Sequence, residues 1–383
     1  MVASLSSSAL ISEVFSPACC PRLVVKIGSA LLVDKAGHIR RDWLASVVAD
    51  IAERRAAGQQ VAIVSSGAIA LGARVLGLAK GGRASLEDAQ AAAATGQIGL
   101  SSAWAQLLHL SDCVAAQMLV TLDDLEDRRR YLNASATLDR LLALGVVPVI
   151  NENDSVATEE IRFGDNDRLA ARVGQAAAAQ GVILLSDIDG LYTANPGVDP
   201  AATLVSEVRV VDARIRAMAD GGSASGMGSG GMISKLEAAR IAQGSGAHLA
   251  IVSGRFDHPL ARFAETGIGT LFWGGEAKRG RKAWLAGRLT ARGRIVVDAG
   301  AARALRDGRS LLAAGATDVQ GLFARGDVIE ISDAQGQLLA RGLAEYDAAD
   351  AARIVGRRSD AHGELLGYAP RTAMVHRDHM VLV

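Results

Sequence analysis

Short apolar runs alternate along most of this chain with longer stretches in which apolar residues recur every three or four positions. Residues 22–27 (RLVVKI), 60–64, 114–120, 145–150, 181–185 and 247–252 have the length and apolarity of buried strands, 247–252 being read as the last of this region. Trp43, Val47 and Ile51 fall at i, i+4, i+8 with Leu44 and Val48 beside them, which predicts an amphipathic helix. Thr121 and Asp124 form a capping box ahead of another, so the acidic residues there are read as structural. Strands alternating with helices over residues 22–253 predict an α/β fold: an open, mostly parallel sheet with helices on both faces. Residues 89–111 contain no Asp, Glu, Lys or Arg, yet they are mostly Ala, Gly, Ser and Gln. That is too polar to span a bilayer and predicts a helix packed closely on another helix or subunit.

Near residue 275 the texture changes. Residues 276–282 (EAKRGRK) are charged, as a linker would be. Beyond them the strand-like pieces 294–297, 328–331 and 338–340 are separated by Arg325-Gly326-Asp327 and Gln335-Gly336-Gln337, which are turn signals. The expected organisation is a tail over 1–20, a large domain over 21–275, a linker over 276–290 and a small, mostly β domain over 291–383.

Composition narrows the function classes. A length of 383 residues, half of them hydrophobic, predicts two domains. Lys+Arg and Asp+Glu are both 41, which argues against bulk attraction to nucleic acid or an anionic membrane. Cys19, Cys20 and Cys113 make neither a disulfide framework nor a metal spacing, so a reducing, cytoplasmic setting is expected. Residues 1–20 lack the basic start of a signal peptide and the Arg of a transit peptide, and read as a loose Ser/Ala-rich tail.

The chemistry concentrates between Gly145 and Val173. An apolar strand breaks into Asn151-Glu152-Asn153-Asp154, and Gly164-Asp165-Asn166-Asp167 precedes a helix-like run. Either cluster alone reads equally well as Asx turns. Two of them flanking one loop favour a site beyond the carboxyl ends of the strands, suited to a small polar substrate with an amino group, or to a metal. Lys26-Ile27-Gly28-Ser29 ends the first strand, where a lysine and a close-approaching backbone can hold phosphate oxygens. Ser65-Ser66-Gly67-Ala68 repeats the logic after the second. The glycine-rich run from Gly221 to Gly231 leads straight into a helix carrying Lys235, which favours a phosphate-binding loop over a linker. It is neither a Walker A sequence nor a dinucleotide fingerprint. His376 and His379 have no supporting ligand pattern, and no GxSxG elbow or HExxH is present.

The runs LVVKIGS, VAIVSSGAIALG, PVINENDSVAT with GDNDRLAA, LLSDIDGLYTANP and SGMGSGGMISKLEAA together resemble the glutamate 5-kinase family over residues 22–275. GRIVVDAGAARAL, FARGDVIEISDAQGQLLARGLAEY and MVHRDHM resemble the PUA domain many bacterial members carry. The resemblance implies the amino acid kinase fold and ATP-dependent phosphorylation of the L-glutamate γ-carboxylate, the first step of proline biosynthesis, with proline as inhibitor. It also implies that Ser66, Asp154 and Asn166 hold glutamate, and that Lys26 and Lys235 bind phosphates with Asp167 orienting them. Ser186 and Asp187 and the run Ser229, Gly230, Gly231, Met232, Ile233, Ser234, Lys235 are implied to contact the nucleotide. Mg²⁺ arrives on ATP, with no protein metal site expected. A homo-oligomer, dimer or tetramer, and no membrane association are expected.

Three rival readings compete with this one. Another amino acid kinase, acting on aspartate, acetylglutamate or UMP, fits less well with the paired NEND and GDND clusters and the PUA-like tail. An RNA-binding or RNA-modifying protein would use the arginines of the second domain, but the larger domain has no signature for it. A degenerate kinase would not keep both lysines and Asp167.

Overall fold

In a computed structural model, the chain is described over residues 11–34, 36–156, 166–219, 231–275 and 291–382. These residues form two units, one of 11–126 with 133–275, the other of 127–132 with 291–382.

The first unit is an eight-stranded sheet. In chain order its strands are β1 (Arg22–Ile27), β2 (Gln60–Val64), β3 (Ala115–Val120), β4 (Val147–Glu152), β5 (Gly181–Ser186), β6 (Glu207–Val208), β7 (His248–Ser253) and β8 (Thr270–Phe272). They lie side by side as β3-β4-β2-β1-β5-β7-β8-β6. All pair in parallel except β7 with β8. The central strands are buried almost throughout, as a sheet covered on both faces requires. β7 is not the last strand. β8 and β6 extend the sheet beyond it, but with three and two residues they carry no periodic signal in the sequence. β4 also runs two residues further than expected, through Asn151 and Glu152.

The order sets where a ligand can sit. β1 lies between β2 and β5: the chain runs from β1 to β2 on one side and crosses over from β4 to β5 on the other, so the strand order reverses there. Register aligns Lys26 with Val64 and Leu184, and Val64 with Ile150. The loops after β1, β2, β4 and β5 therefore open on one edge at the switch point, where open α/β sheets bind ligands.

The helices that matter to that edge are α1 (Arg41–Ala56), α2 (Ala68–Val75), α3 (Leu86–Leu110), α4 (Arg128–Ala143), α5 (Asn166–Ala176), α6 (Met232–Ser245) and α7 (Pro259–Thr266). The uncharged stretch is α3, and it packs on α2 backbone to backbone. A Cβ on Gly72 would lie 1.7 Å from the Ala92 carbonyl oxygen, and one on Gly96 would lie 1.9 Å from that of Ala68. Only glycine allows that approach, which accounts for the helix's small residues. Among the described residues no helix is long and apolar enough to cross a membrane. The predicted capping box forms: Thr121 N–H donates to Asp124 Oδ2 (2.8 Å) and Asp124 N–H donates to Thr121 Oγ1 (3.1 Å).

Residues 11–20 are not a loose tail. Ile11, Phe15 and Cys20 are fully buried in the core of the first unit. The Phe15 ring packs on Phe263, centroids 5.9 Å apart, and over Gly181 at the start of β5. The Phe15 carbonyl accepts from Arg54 Nη1 (3.0 Å) and Gln59 Nε2 (3.1 Å), and the Cys20 carbonyl accepts from Gln59 Nε2 (2.6 Å). Burial pushes the Cys20 thiol up to about 12, so it stays protonated. Two short apolar pairs among serines, Leu10-Ile11 and Val14-Phe15, were too brief a pattern to reveal this packing. Phe15→Leu should cost about 1 kcal/mol in equilibrium denaturation; an unpacked segment would give no change.

The second unit holds a five-stranded sheet of order β10-β9-β11-β12-β13. Its strands are β9 (Gly293–Val297), β10 (Ala316–Gly321), β11 (Val328–Asp333), β12 (Leu338–Leu343) and β13 (Met380–Leu382). β9, β11 and β12 match the expected pieces, while β10 and β13 were not read from the sequence. Asp333 Oδ1 accepts from the N–H groups of Gln335 (3.1 Å) and Gln337 (2.8 Å) across the β11–β12 turn, and Gly336 takes φ +82° there. Residues 127–132 belong to this unit, where Leu132 is buried with Val328, Leu343 and Val381. The large domain is therefore not the continuous segment that the sequence suggested.

Candidate active site

Three buried charges meet at the carboxyl edge of the first sheet. Lys26 is the penultimate residue of β1, Asp167 stands in the first turn of α5, and Lys235 stands in the first turn of α6. Their exposures are 7%, 1% and 6%. Lys26 Nζ lies 2.5 Å from Asp167 Oδ1, and Lys235 Nζ lies 2.9 Å from Asp167 Oδ2. A helix N-terminus favours Asp167 and disfavours Lys235. The carboxylate thus offsets both a misplaced cation and a buried one. Burial alone would raise the Asp167 pKa, but the charges and hydrogen bonds of Lys26 and Lys235 outweigh it and hold the group below its ordinary 3.8.

One residue before Asp167, Asn166 ties the start of α5 to the turn after β2 and to the end of β4. Its Nδ2 donates to Ser66 Oγ (2.7 Å), the Ser65 carbonyl (3.0 Å) and Asn151 Oδ1 (3.2 Å). Its Oδ1 is buried with no hydrogen-bond partner among the described residues, leaving an acceptor beside the cavity that Asn166 lines. Two residues that sequence reasoning missed brace this knot. Gln97 of α3 accepts from Asn151 Nδ2 (2.8 Å), and fully buried Trp104 donates to Ser65 Oγ (2.9 Å). The turn after β2 needs Gly67, whose φ is +106°.

A cavity of about 630 Å³ opens over these groups. Lys26, Ser66, Asp154, Asn166, Asp167 and Lys235 all line it, so the predicted catalytic and substrate positions come together. Ser186 and Asp187 line it too, the Ser186 hydroxyl donating to Asp187 Oδ1 (3.2 Å). Gly231, Met232, Ile233 and Ser234 do not line it; Gly231 caps α6, and Ile233 is exposed. Ser229 and Gly230 lie outside the described residues. Asp154 is buried, and desolvation pushes its carboxyl up to about 6 against the opposing charge of Arg83. Arg74, Lys80 and Arg83 also line the cavity and were not foreseen. Arg74 stands in the last turn of α2, and the only sequence signal for Lys80 and Arg83 is a basic, glycine-rich connection, Gly77 to Arg83, between two helices.

The arrangement has two chemically different ends. One presents two ammonium groups on a shared carboxylate, suited to phosphate oxygens. The other presents amides, a hydroxyl and a carboxylate, suited to a small zwitterion.

Residues 21–253 match the amino acid kinase family, and residues 293–362 match the PUA domain. The chain is 69% identical over 371 residues to glutamate 5-kinase of Sphingopyxis alaskensis, covering 97% of this chain and all of that one. It is 62% identical over 370 residues to glutamate 5-kinase of Zymomonas mobilis (97% and 93% covered). It is 63% identical over 364 residues to glutamate 5-kinase of Novosphingobium aromaticivorans (95% and 96% covered).

Proposed function

The chain belongs to the glutamate 5-kinase family of amino acid kinases, and we propose how its buried lysines carry out the ATP-dependent phosphorylation of the L-glutamate γ-carboxylate. The observation that carries the proposal is the single carboxylate of Asp167 shared by Lys26 and Lys235.

A carboxylate is already nucleophilic at neutral pH, so no general base is required. A γ-carboxylate oxygen attacks the γ-phosphorus of MgATP, the bond to the β–γ bridging oxygen breaks, and ADP leaves with that electron pair. The barrier is dominated by bringing one anion to another and holding them in line. Lys26 and Lys235 supply fixed positive charge to the transferring group, in a buried setting where it acts strongly. Asp167 keeps both ammonium groups aimed. Ser186 and Asp187 lie on the nucleotide side. Ser66, Asn166 and Asp154 receive glutamate, with the Asp154 carboxylate and Asn166 Oδ1 accepting from its ammonium.

The test is ADP release with L-glutamate set against L-aspartate and N-acetylglutamate. Preference for either alternative would overturn the substrate assignment. Proline acts as an inhibitor in this reading; the loop between Asp154 and Asn166, where its site would overlap that of glutamate, lies largely outside the described residues. Competition of proline with glutamate in initial-rate measurements is the expected pattern. A homo-oligomer and a cytoplasmic location belong to the same reading; Cys19, Cys20 and Cys113 are all free thiols, which suits a reducing compartment.

The raised pKa of Asp154 gives a signed pH dependence. Binding the substrate ammonium requires the ionised form, so kcat/KM for glutamate should fall about tenfold per pH unit below about 6. Stability should move the other way. A carboxyl whose folded pKa lies above its ordinary value costs folding free energy above about pH 6 and none below the ordinary 3.8. Asp154→Asn should therefore lose glutamate affinity and the acid limb of the profile, yet be no less stable than wild type at pH 7. An unchanged acid limb would rule out Asp154 as its source.

A further inference from the structure

Glutamate carries two carboxylates and one ammonium. The proposed function, on which this inference rests, assigns the γ-carboxylate to the lysine end and the ammonium to Asp154 and Asn166. The α-carboxylate sits on the same carbon as the ammonium, so its partner must stand close to Asp154. Besides Lys26 and Lys235, the described cations lining the cavity are Arg74, Lys80 and Arg83. Arg74 lies with its aliphatic stem against Gly37, and its charge acts on Asp34. Lys80 stands at the head of the turn and Arg83 at its end, and both are exposed. Arg83 is the one whose charge acts on Asp154.

The backbone before Arg83 is built to deliver it. Lys80, Gly81 and Gly82 take φ of +51°, +63° and +75°, three successive left-handed residues. Such a run is rare, and a lysine in it carries a local cost. Gly82 is buried, and a Cβ there would come within 2.9 Å of Ala73 and 3.1 Å of Ala92. The turn is therefore pressed onto α2 and α3 at Gly82, and Arg83 follows that packed glycine directly, its side chain lining the cavity. A guanidinium fork matches a carboxylate with two parallel hydrogen bonds, which a lysine cannot do.

We propose that Arg83 is a substrate-binding residue that receives the α-carboxylate of glutamate and so sets the enzyme's preference for an α-amino acid with a free α-carboxylate.

The test compares L-glutamate with L-isoglutamine, its α-amide, which keeps the γ-carboxylate to be phosphorylated. Arg83→Gln should raise KM for glutamate roughly 10–100-fold, the scale of a charge-assisted hydrogen bond, with kcat and KM for ATP close to wild type. The wild-type preference for glutamate over isoglutamine should largely vanish in Arg83→Gln and be partly kept in Arg83→Lys. Lys80→Gln should leave it intact. Equal preference in wild type and Arg83→Gln would overturn the assignment, as would loss of preference in Lys80→Gln alone. Wild-type enzyme that phosphorylates neither compound would overturn the kinase reading itself and this inference with it.

Discussion

Lys235→Ala should lower kcat by roughly 10²–10³, the cost of removing one strong donor to a developing anionic charge. Lys235 is 6% exposed and its ammonium is fixed on Asp167 at 2.9 Å, so it does not have to be gathered from solvent when the reaction occurs. KM for ATP should change far less, because Lys26 and the groups on the nucleotide side remain. The asymmetry is the informative part: a loss of kcat with little change in KM marks an interaction made mainly in the transition state. Lys235→Arg is not a conservative control, since a planar guanidinium does not match a site built around a compact ammonium on a carboxylate shared with Lys26. A Lys235→Ala enzyme with near-native kcat would remove the residue from the chemistry.

The sheet was legible because its central strands are buried on both faces, and such strands appear in sequence as uninterrupted apolar runs. RLVVKI, QVAIV and GVILLS became β1, β2 and β5 almost residue for residue. The charged constellation was legible for a different reason. Lys26, Asn166, Asp167 and Lys235 stand at the ends or starts of regular elements, where a polar residue interrupts an apolar pattern conspicuously. What failed to show were contacts without a period. β6 and β8 are too short to alternate. Ile11 and Phe15 belong to two short apolar pairs in a serine-rich stretch, Leu10-Ile11 and Val14-Phe15, too brief a pattern to show that their burial depends on surfaces far along the chain. Leu132 looks like any core position of α4, and nothing local says that its neighbours are Val328, Leu343 and Val381. Gln97 and Arg83 are polar residues on a helix and a loop, where solvation is the default, and only tertiary structure brings Gln97 to Asn151 and Arg83 to the cavity.

Asp167→Asn should destabilise the folded enzyme by about 3–5 kcal/mol, the usual cost of removing one partner from a buried ionic cluster. Asparagine preserves shape, so little of the loss comes from a cavity. It comes from leaving Lys26 and Lys235 buried together without the carboxylate that both now touch. At 2–4 °C per kcal/mol for a unit of this size, the melting temperature should fall on the order of 10 °C. The pH dependence follows from the depressed pKa. A carboxylate held below its ordinary 3.8 contributes stability that is present above that value and is lost as pH falls through the folded pKa. The gap between wild type and Asp167→Asn should therefore be full at pH 7 and begin to close only below about pH 4. Ligand binding gives a second handle. ATP phosphates bring negative charge to the same two lysines, so the nucleotide should restore a larger share of stability to the variant than it adds to wild type. Catalysis should still fail to recover, because neutralising the lysines does not aim them. Thermal denaturation of both proteins across pH, with and without MgATP, measures each part. A variant as stable as wild type at pH 7, or one whose deficit is unchanged at pH 3, would show that Asp167 does not balance the lysines.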